Sequence, residues 1–469
     1  MRRALAALGL FVLACGCGLP LASGAPPVEA RLVGAQSQCR PAFPDQGGWS
    51  GGDVASSAVL PGGDGRSSVW IFGDSFVDRH AAASPSEASG ASSLRALPAA
   101  RRYPFAHHAL AVSRCEADGT WRIEFATDRR FFEPDPTADW VLQVEHETGA
   151  SPYYWPISVA AVGDALYVAL LRVAPAPPRG PFALPFNLVG VDLARITDAT
   201  RPPQAWTIAI APLSSRGDLL PATSLVATRD HLYAFATLDL GEGGDERATS
   251  RSPRGLTRLP LDALAAWPQA RQHTAAGGTS AQSTESARSA GDAGDAESVH
   301  PRDAREGAFE LESKLEILLR DGSWQSRAEV ARARILMADD ASEMSVHYDP
   351  EHRAWLAVYS DPTREAGGGP ADTVWLRAAA RLEGPWSRPR ALYRMPELAR
   401  PDGPPPGEPF CYAAKAHPEL APAGRLLVTY VCNLFASRAD EIPAVLERLR
   451  ATPALYRPRV VELPVPALR

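Results

Sequence analysis

Two short runs place a carboxylate directly behind glycine: Trp49-Ser-Gly-Gly-Asp53 and Ile71-Phe72-Gly73-Asp74-Ser75. Glycine at such positions lets the backbone approach a neighbour closely. The residues between the two runs read as a strand, a turn and a second strand, so Asp53 enters the first strand and Asp74 leaves the second. Antiparallel pairing returns both ends to one rim. Two carboxyl groups at a fixed separation are what glycoside hydrolysis requires. The competing assignment makes both aspartates turn or cap residues that bond backbone amides. A third acid, Glu343 in Glu343-Met344-Ser345, stands immediately before another strand. Packed by Met344, it would serve as proton donor if burial raised its proton affinity. In solvent it would be an ordinary loop acid.

Only two of the 48 basic residues are lysines, Lys314 and Lys415. Lys415, in Cys411-Tyr-Ala-Ala-Lys415-Ala-His417-Pro418-Glu419, therefore stands out as a polar ligand contact, with His417 beside it. The run Tyr153-Tyr154-Trp155-Pro156 offers a sugar-stacking platform, although core aromatics look the same in sequence. His107-His108 invites a metal, but adjacent residues on a strand point to opposite faces, and no Cys or His completes a ligand set by spacing. Neither a metal nor any other cofactor is expected. Ile71-Phe-Gly-Asp-Ser75-Phe-Val-Asp78 resembles the first block of GDS-type serine esterases. The Gly-Asn-Asp block of that family is missing, and Ala414 stands where its Asp-x-x-His pair needs Asp. A serine esterase is a minor alternative.

The elements that must hold these groups repeat. A Ser or His, an apolar strand, a polar turn and a strand ending in aromatics start at Ser57, Ser158, Ser224, Ser345 and His417. Strand-turn-strand units with turn residues at fixed offsets are hairpins. A spacing of about 65–70 residues suffices for a four-stranded propeller blade. The expected fold is all-β, a five-bladed β-propeller over 39–469. The alternative is a β-sandwich with coincidental hairpins. Residues 268–306 are Ala, Gly, Ser, Thr and charge; they cannot offset their ordering entropy by burial and read as a disordered insertion in one blade. Gly241–Gly255 reads as a second polar loop, and Leu256–Leu264 as the place of one short helical turn.

The 44 prolines and 37 glycines disfavour long helices, while 45% hydrophobic and 22% charged residues are an ordinary globular balance. A net charge of −6 argues against a nucleic-acid partner. No run of 18 apolar residues follows the N-terminal region, which excludes a multi-pass membrane protein. Residues 1–24 read as an export signal: Arg2-Arg3, then the apolar stretch Ala4–Ala14. Lipobox-like segments precede Cys17 and Cys15, and Ala22-Ser23-Gly24 offers ordinary cleavage instead. Acylation at Cys17 leaves four cysteines, an even number suited to an oxidising compartment. Cys411 and Cys432 flank a hairpin and are expected to pair, leaving Cys39 with Cys115. Four buried free thiols are the alternative. The product would be a cell-surface or periplasmic lipoprotein, touching membrane only through its anchor, or otherwise secreted.

Taken in order, Gly52-Asp53, Trp70-Ile-Phe-Gly-Asp74-Ser, Tyr154-Trp-Pro, Glu343-Met-Ser-Val, Gly384-Pro-Trp386 and Lys415-Ala-His-Pro-Glu resemble a bacterial exported domain-of-unknown-function family. Some of its members are endo-D-arabinanases. The resemblance covers most of the chain after Cys39 and implies a five-bladed propeller similar to furanosidases. It implies Asp53 and Asp74 as the leading catalytic residues, with Glu343 behind them. The chemistry read above would make Asp53 and Asp74 base or nucleophile and orienting carboxylate, and Glu343 the proton donor. Tyr154, Trp155, His108, Lys415 and His417 are the expected contacts to a carbohydrate substrate. The expected activity is hydrolysis of a furanoside or related, arabinan-like glycan; the rival is a catalytically silent surface lipoprotein that binds glycan or protein.

Overall fold

The computed structural model describes residues 39–78, 105–127, 130–176, 185–240, 253–267, 311–339, 341, 343–360, 373–398, 409–434, 436 and 439–468. The five sequence repeats form five antiparallel sheets. Their first strands are Ser56–Val59, Tyr153–Val162, Leu219–Ala227, Met344–Asp349 and Pro409–Ala416. Each pairs with the strand to which a tight turn returns it. The first strands also touch one another in sequence order, first blade to fifth. They line a common axis, and the fold is a five-bladed β-propeller.

The residues that head the repeats stitch neighbouring blades together. Ser158 Oγ donates to the Ala222 carbonyl of the third blade at 2.7 Å. Ser224 Oγ accepts from Val346 N of the fourth at 3.0 Å, and Ser345 Oγ from Ala416 N of the fifth at 2.7 Å. The ring closes where His417 Nδ1 lies 2.6 Å from Ser57 Oγ of the first blade. Four of the five heads are serine, a side chain short enough to bond across where the first strands crowd the axis, and His417 is the fifth. The apolar core lies in slabs between blade faces. Val226, Phe235, Met344 and Tyr359 join blades three and four, while Trp70, Phe72, Leu420 and Leu427 join blades one and five. Central strands such as Ala354–Ser360 are buried throughout, so they read as continuous apolar runs rather than alternations.

Several expectations are corrected. The blades are not uniformly four-stranded: the third has five strands and the fifth has three. A helix, Ile442–Ala451, and a 3-10 turn, Pro453–Tyr456, occupy the fifth blade before its last strand, Arg459–Pro464. Trp49–Gly52, Ser75–Val77 and Phe105–Ala106 form a separate small sheet beside blade one. The polar loop read up to Gly255 ends earlier, because Arg254–Pro260 is a strand paired with His231–Leu238. The helical turn therefore starts only at Leu261. The insertion at 268–306 and the leader with Cys15 and Cys17 lie outside the described residues.

Both expected disulfides are formed, Cys39–Cys115 and Cys411–Cys432. The second joins residues directly opposite in the fifth-blade hairpin. Two bridges fit an oxidising, extracytoplasmic compartment. No described helix is long and apolar enough to cross a membrane.

Candidate functional site

Asp53 sits between Trp49–Gly52 and the first strand of blade one. Its N–H donates to the Asp74 carbonyl at 3.1 Å, and its own carbonyl accepts from Gly73 N at 3.2 Å. The two glycine-aspartate runs are thus bonded backbone to backbone. Val54 and Ala55 follow with φ of 65° and 45°. Such a conformation costs on the order of 1–3 kcal/mol for a β-branched residue and persists only where surroundings impose it. Here Lys415 Nζ donates to the Val54 carbonyl at 3.0 Å. The kink turns the Asp53 side chain toward the fifth blade, where Tyr412 Oη and Tyr456 Oη each donate to Oδ2 at 2.7 Å. Tyr412 itself precedes a left-handed residue, Ala413 at φ 57°, inside a register shift of its strand.

Asp74 is more open, its side chain 20% exposed. Trp155 Nε1 donates to Oδ1 at 2.8 Å, and His107 Nδ1 lies 3.1 Å from the same oxygen. The His107 ring stacks on Tyr153 with centroids 3.5 Å apart, and Tyr153 meets Trp155 edge to face. Phe186 closes this aromatic wall against Trp155. Glu343 comes from blade four, and its Oε2 accepts from Lys415 Nζ at 2.9 Å. The loop before it is held at two points: Arg254 Nε donates to the Ala341 carbonyl at 2.9 Å and Arg377 Nε to Asp339 at 2.7 Å.

Three carboxyl groups, from blade one and blade four, therefore meet at the rim where the first strands begin. Their mutual repulsion is visible at Asp53. Burial raises its proton affinity well above the ordinary aspartate value, and the charges of Asp74 and Glu343 add to the rise. The two phenol donors oppose it but do not cancel it. Tyr412 and Tyr456 are in turn pushed well above the usual tyrosine range, by burial first and then by the Asp53 charge, so both keep their protons. The site thus presents one carboxyl disposed to hold a proton beside an open carboxylate framed by two N–H groups.

Of the expected site residues, Asp53, Asp74, Glu343, Trp155 and Lys415 meet here. Tyr154 does not: it is buried, donates to Asp192, and belongs to a core cluster with Arg172. His108 does not either; its Nε2 accepts from Phe131 N and Phe132 N, which fixes the chain after blade one. For Tyr154 the neighbouring Tyr153 faces the rim, because consecutive strand residues point to opposite sides; His107, in the bend between Phe105–Ala106 and Ala109–Cys115, reaches Asp74 where His108 does not. His417 stitches the ring closed, its Nε2 2.7 Å from Thr429 Oγ1. It lines an axial cavity of about 70 Å³ with His347 and Glu419, far below the roughly 300 Å³ or more of a small-molecule site. Burial lowers His417 to about 3 and His347 to about 4, so both are neutral. Among the described residues the His/Cys/Asp/Glu group close enough for an ion is Glu397 with Cys411 and Cys432, whose sulfurs are spent in a disulfide.

Tyr456 and Tyr412 were missed by sequence reasoning, and Tyr456 carries no local signal: it lies 403 residues from Asp53 in the chain. Ser75 is buried and donates to the Gly73 carbonyl at 3.0 Å. With no histidine partner among the described residues, and in a propeller rather than an alternating α/β fold, it lacks the setting of an esterase nucleophile.

No family model matches the sequence, and no curated protein matches it. Among solved structures the chain is remotely similar to glycoside hydrolases and to a hydrolase so assigned only provisionally. That Bacteroides ovatus protein shares 14% identity at a TM-score of 0.48, over 89% of this chain and 86% of that one. A mutant α-L-arabinanase from Cellvibrio cellulosa shares 8% at 0.39, over 88% and 91%. A mutant levansucrase from Bacillus subtilis shares 10% at 0.40, over 95% and 93%. With every score below 0.5, these likenesses add no weight to the strand pairing described above.

Proposed function

We propose that the protein is an exported glycoside hydrolase that cleaves a furanoside glycan of the arabinan kind. The observation that carries the reading is the meeting of Asp53, Asp74 and Glu343 at one rim, with burial and the other two charges driving a proton onto Asp53. This assigns the roles differently from the sequence expectation. Glu343, bound to the Lys415 ammonium, is an orienting charge that raises Asp53, and Asp53 is the general acid. Asp74 Oδ2, which accepts no hydrogen bond from any described residue, is the base or nucleophile. The wall of His107, Tyr153, Trp155 and Phe186 supports stacking against sugar rings. The furanoside class rests on the motif order in the sequence. Export follows the same reading: the leader, an acyl anchor at Cys17 or Cys15, and the two disulfides agree.

The test is cleavage of a polysaccharide panel (arabinan, arabinogalactan, fructan, xylan) by the purified protein, with products separated by chromatography. Asp53→Asn and Asp74→Asn should each lower turnover at least about 10²-fold with the fold retained, because Asn keeps the shape but has neither the acidic proton of Asp53 nor the basic charge of Asp74. Full activity in both variants sinks the assignment. Binding without cleavage, weakened by Trp155→Ala, would replace the hydrolase with a silent glycan-binding lipoprotein.

A further inference from the structure

The Asp53 carboxyl is held unsymmetrically. Oδ2 accepts two phenol O–H bonds, from Tyr412 and Tyr456, and Oδ1 accepts none from any described residue. Oδ1 lies against the bare backbone of Gly73, where an added Cβ would stand 2.5 Å from it. A carboxylate oxygen offers about two lone-pair sites, so two donors leave Oδ2 no room for a proton of its own. Both phenols are buried, and neither gives its proton to Asp53. The remaining groups around the carboxyl are Asp74 and Glu343, the latter bridged to Lys415, and neither donates to Oδ2.

We propose that Tyr412 and Tyr456 are positioning residues that fix Oδ2 as the carbonyl oxygen of Asp53 and so place its transferable proton on Oδ1. The proposal rests on the assignment of Asp53 as proton donor. In the reaction the Oδ1–H bond breaks, the proton goes to the bridging glycosidic oxygen, and that oxygen leaves with the electron pair of its bond to the anomeric carbon. Water supplies the hydroxyl that replaces it. The water gives up its other proton to Asp74 acting as base or, where Asp74 has first bonded the anomeric carbon as nucleophile and is then displaced, to the deprotonated Asp53. The negative charge left on Asp53 is shared with Oδ2, where both phenols already donate. The same pair therefore directs the proton before transfer and stabilises the carboxylate after it. The tyrosines come from different places, one from the inner strand of blade five and one from the turn after the C-terminal helix, so the aim of the proton depends on how those two segments pack.

Infrared difference spectroscopy reads the carbonyl directly and needs no substrate. The band of protonated Asp53 is identified by its loss in Asp53→Asn. It should move to higher frequency in Tyr412→Phe and in Tyr456→Phe, and farther in the double variant, because the carbonyl loses donors. The pH at which the band appears should rise by about one unit for each phenol removed, the worth of one hydrogen bond to a charged group. Phenylalanine keeps the rings, and if one variant fails to fold the other carries the test. A band unmoved in either folded variant overturns the two-donor clamp. So does the lack of any Asp53 carbonyl band at every pH where the wild type is folded. A protein that cleaves no glycan but shows both shifts would refute the hydrolase reading and leave the clamp standing.

Discussion

Replacing Lys415 with methionine keeps an unbranched side chain of similar length and removes one charge. That charge has two partners, the Glu343 carboxylate at 2.9 Å and the Val54 carbonyl at 3.0 Å. The pair is nearly dry, the Lys415 side chain 2% exposed and that of Glu343 8%. At an effective dielectric of ~20, unit charges at this separation attract by about 6 kcal/mol, and the cost of desolvating both returns much of that. Removing one partner leaves the other charge buried and uncompensated, which costs about 3–5 kcal/mol; the stranded Val54 carbonyl adds about 1 kcal/mol or more. Glu343→Gln in the Lys415→Met background removes the orphaned charge, so the double variant should recover part of the loss. Urea unfolding of the wild type, both single variants and the double variant gives the coupling energy of the pair. We expect about 2–3 kcal/mol, in the range of directly contacting buried partners. If Lys415→Met alone fails to accumulate, a soluble double variant supports the same coupling. A coupling under about 0.5 kcal/mol, the range of solvent-screened pairs, would refute the claim that this pair holds the rim.

The two disulfides should differ in worth by loop length. Cys411–Cys432 closes a separation of 21 residues and Cys39–Cys115 one of 76; chain entropy gives about 3 and about 4.5 kcal/mol. Double alanine variants compared by denaturant unfolding should keep that order, and the reverse order would show that native contacts rather than loop closure decide. Acid should weaken the fold through the axial histidines. His417 titrates near 3 in the folded chain and near 6.5 when unfolded, so between these values only the unfolded chain takes up its proton and stability falls with pH. The slope is about 1.4 kcal/mol per pH unit for this residue. His417→Asn should flatten the curve between pH 6 and 4 by that amount, and parallel curves would mean that His417 is charged in the fold.

The five hairpins were legible in the sequence because everything that makes a hairpin is local: two apolar runs, a turn with glycine or aspartate, and a Ser or His at the head of each repeat. The Asp53–Asp74 neighbourhood was legible for the same reason, since one strand pair separates them, and so was Cys411–Cys432. Strand parity was not. Tyr153 or Tyr154 faces the rim according to the register and the sheet's orientation on the axis, and His107 rather than His108 reaches it through a bend between two strands; a bulge between Pro156 and Ser158 shows that even the phase along one strand can slip. Lys415 looked like a ligand contact and proved to be the counter-charge of Glu343, a partnership between blades. Tyr456 could not be read at all, because it reaches Asp53 only once the ring has closed and the C-terminal helix has folded onto blade five. Backbone pattern fixes which strands form. Which carboxyl holds the proton depends on burial and on charges brought together from residues hundreds of positions apart, and only packing sets those.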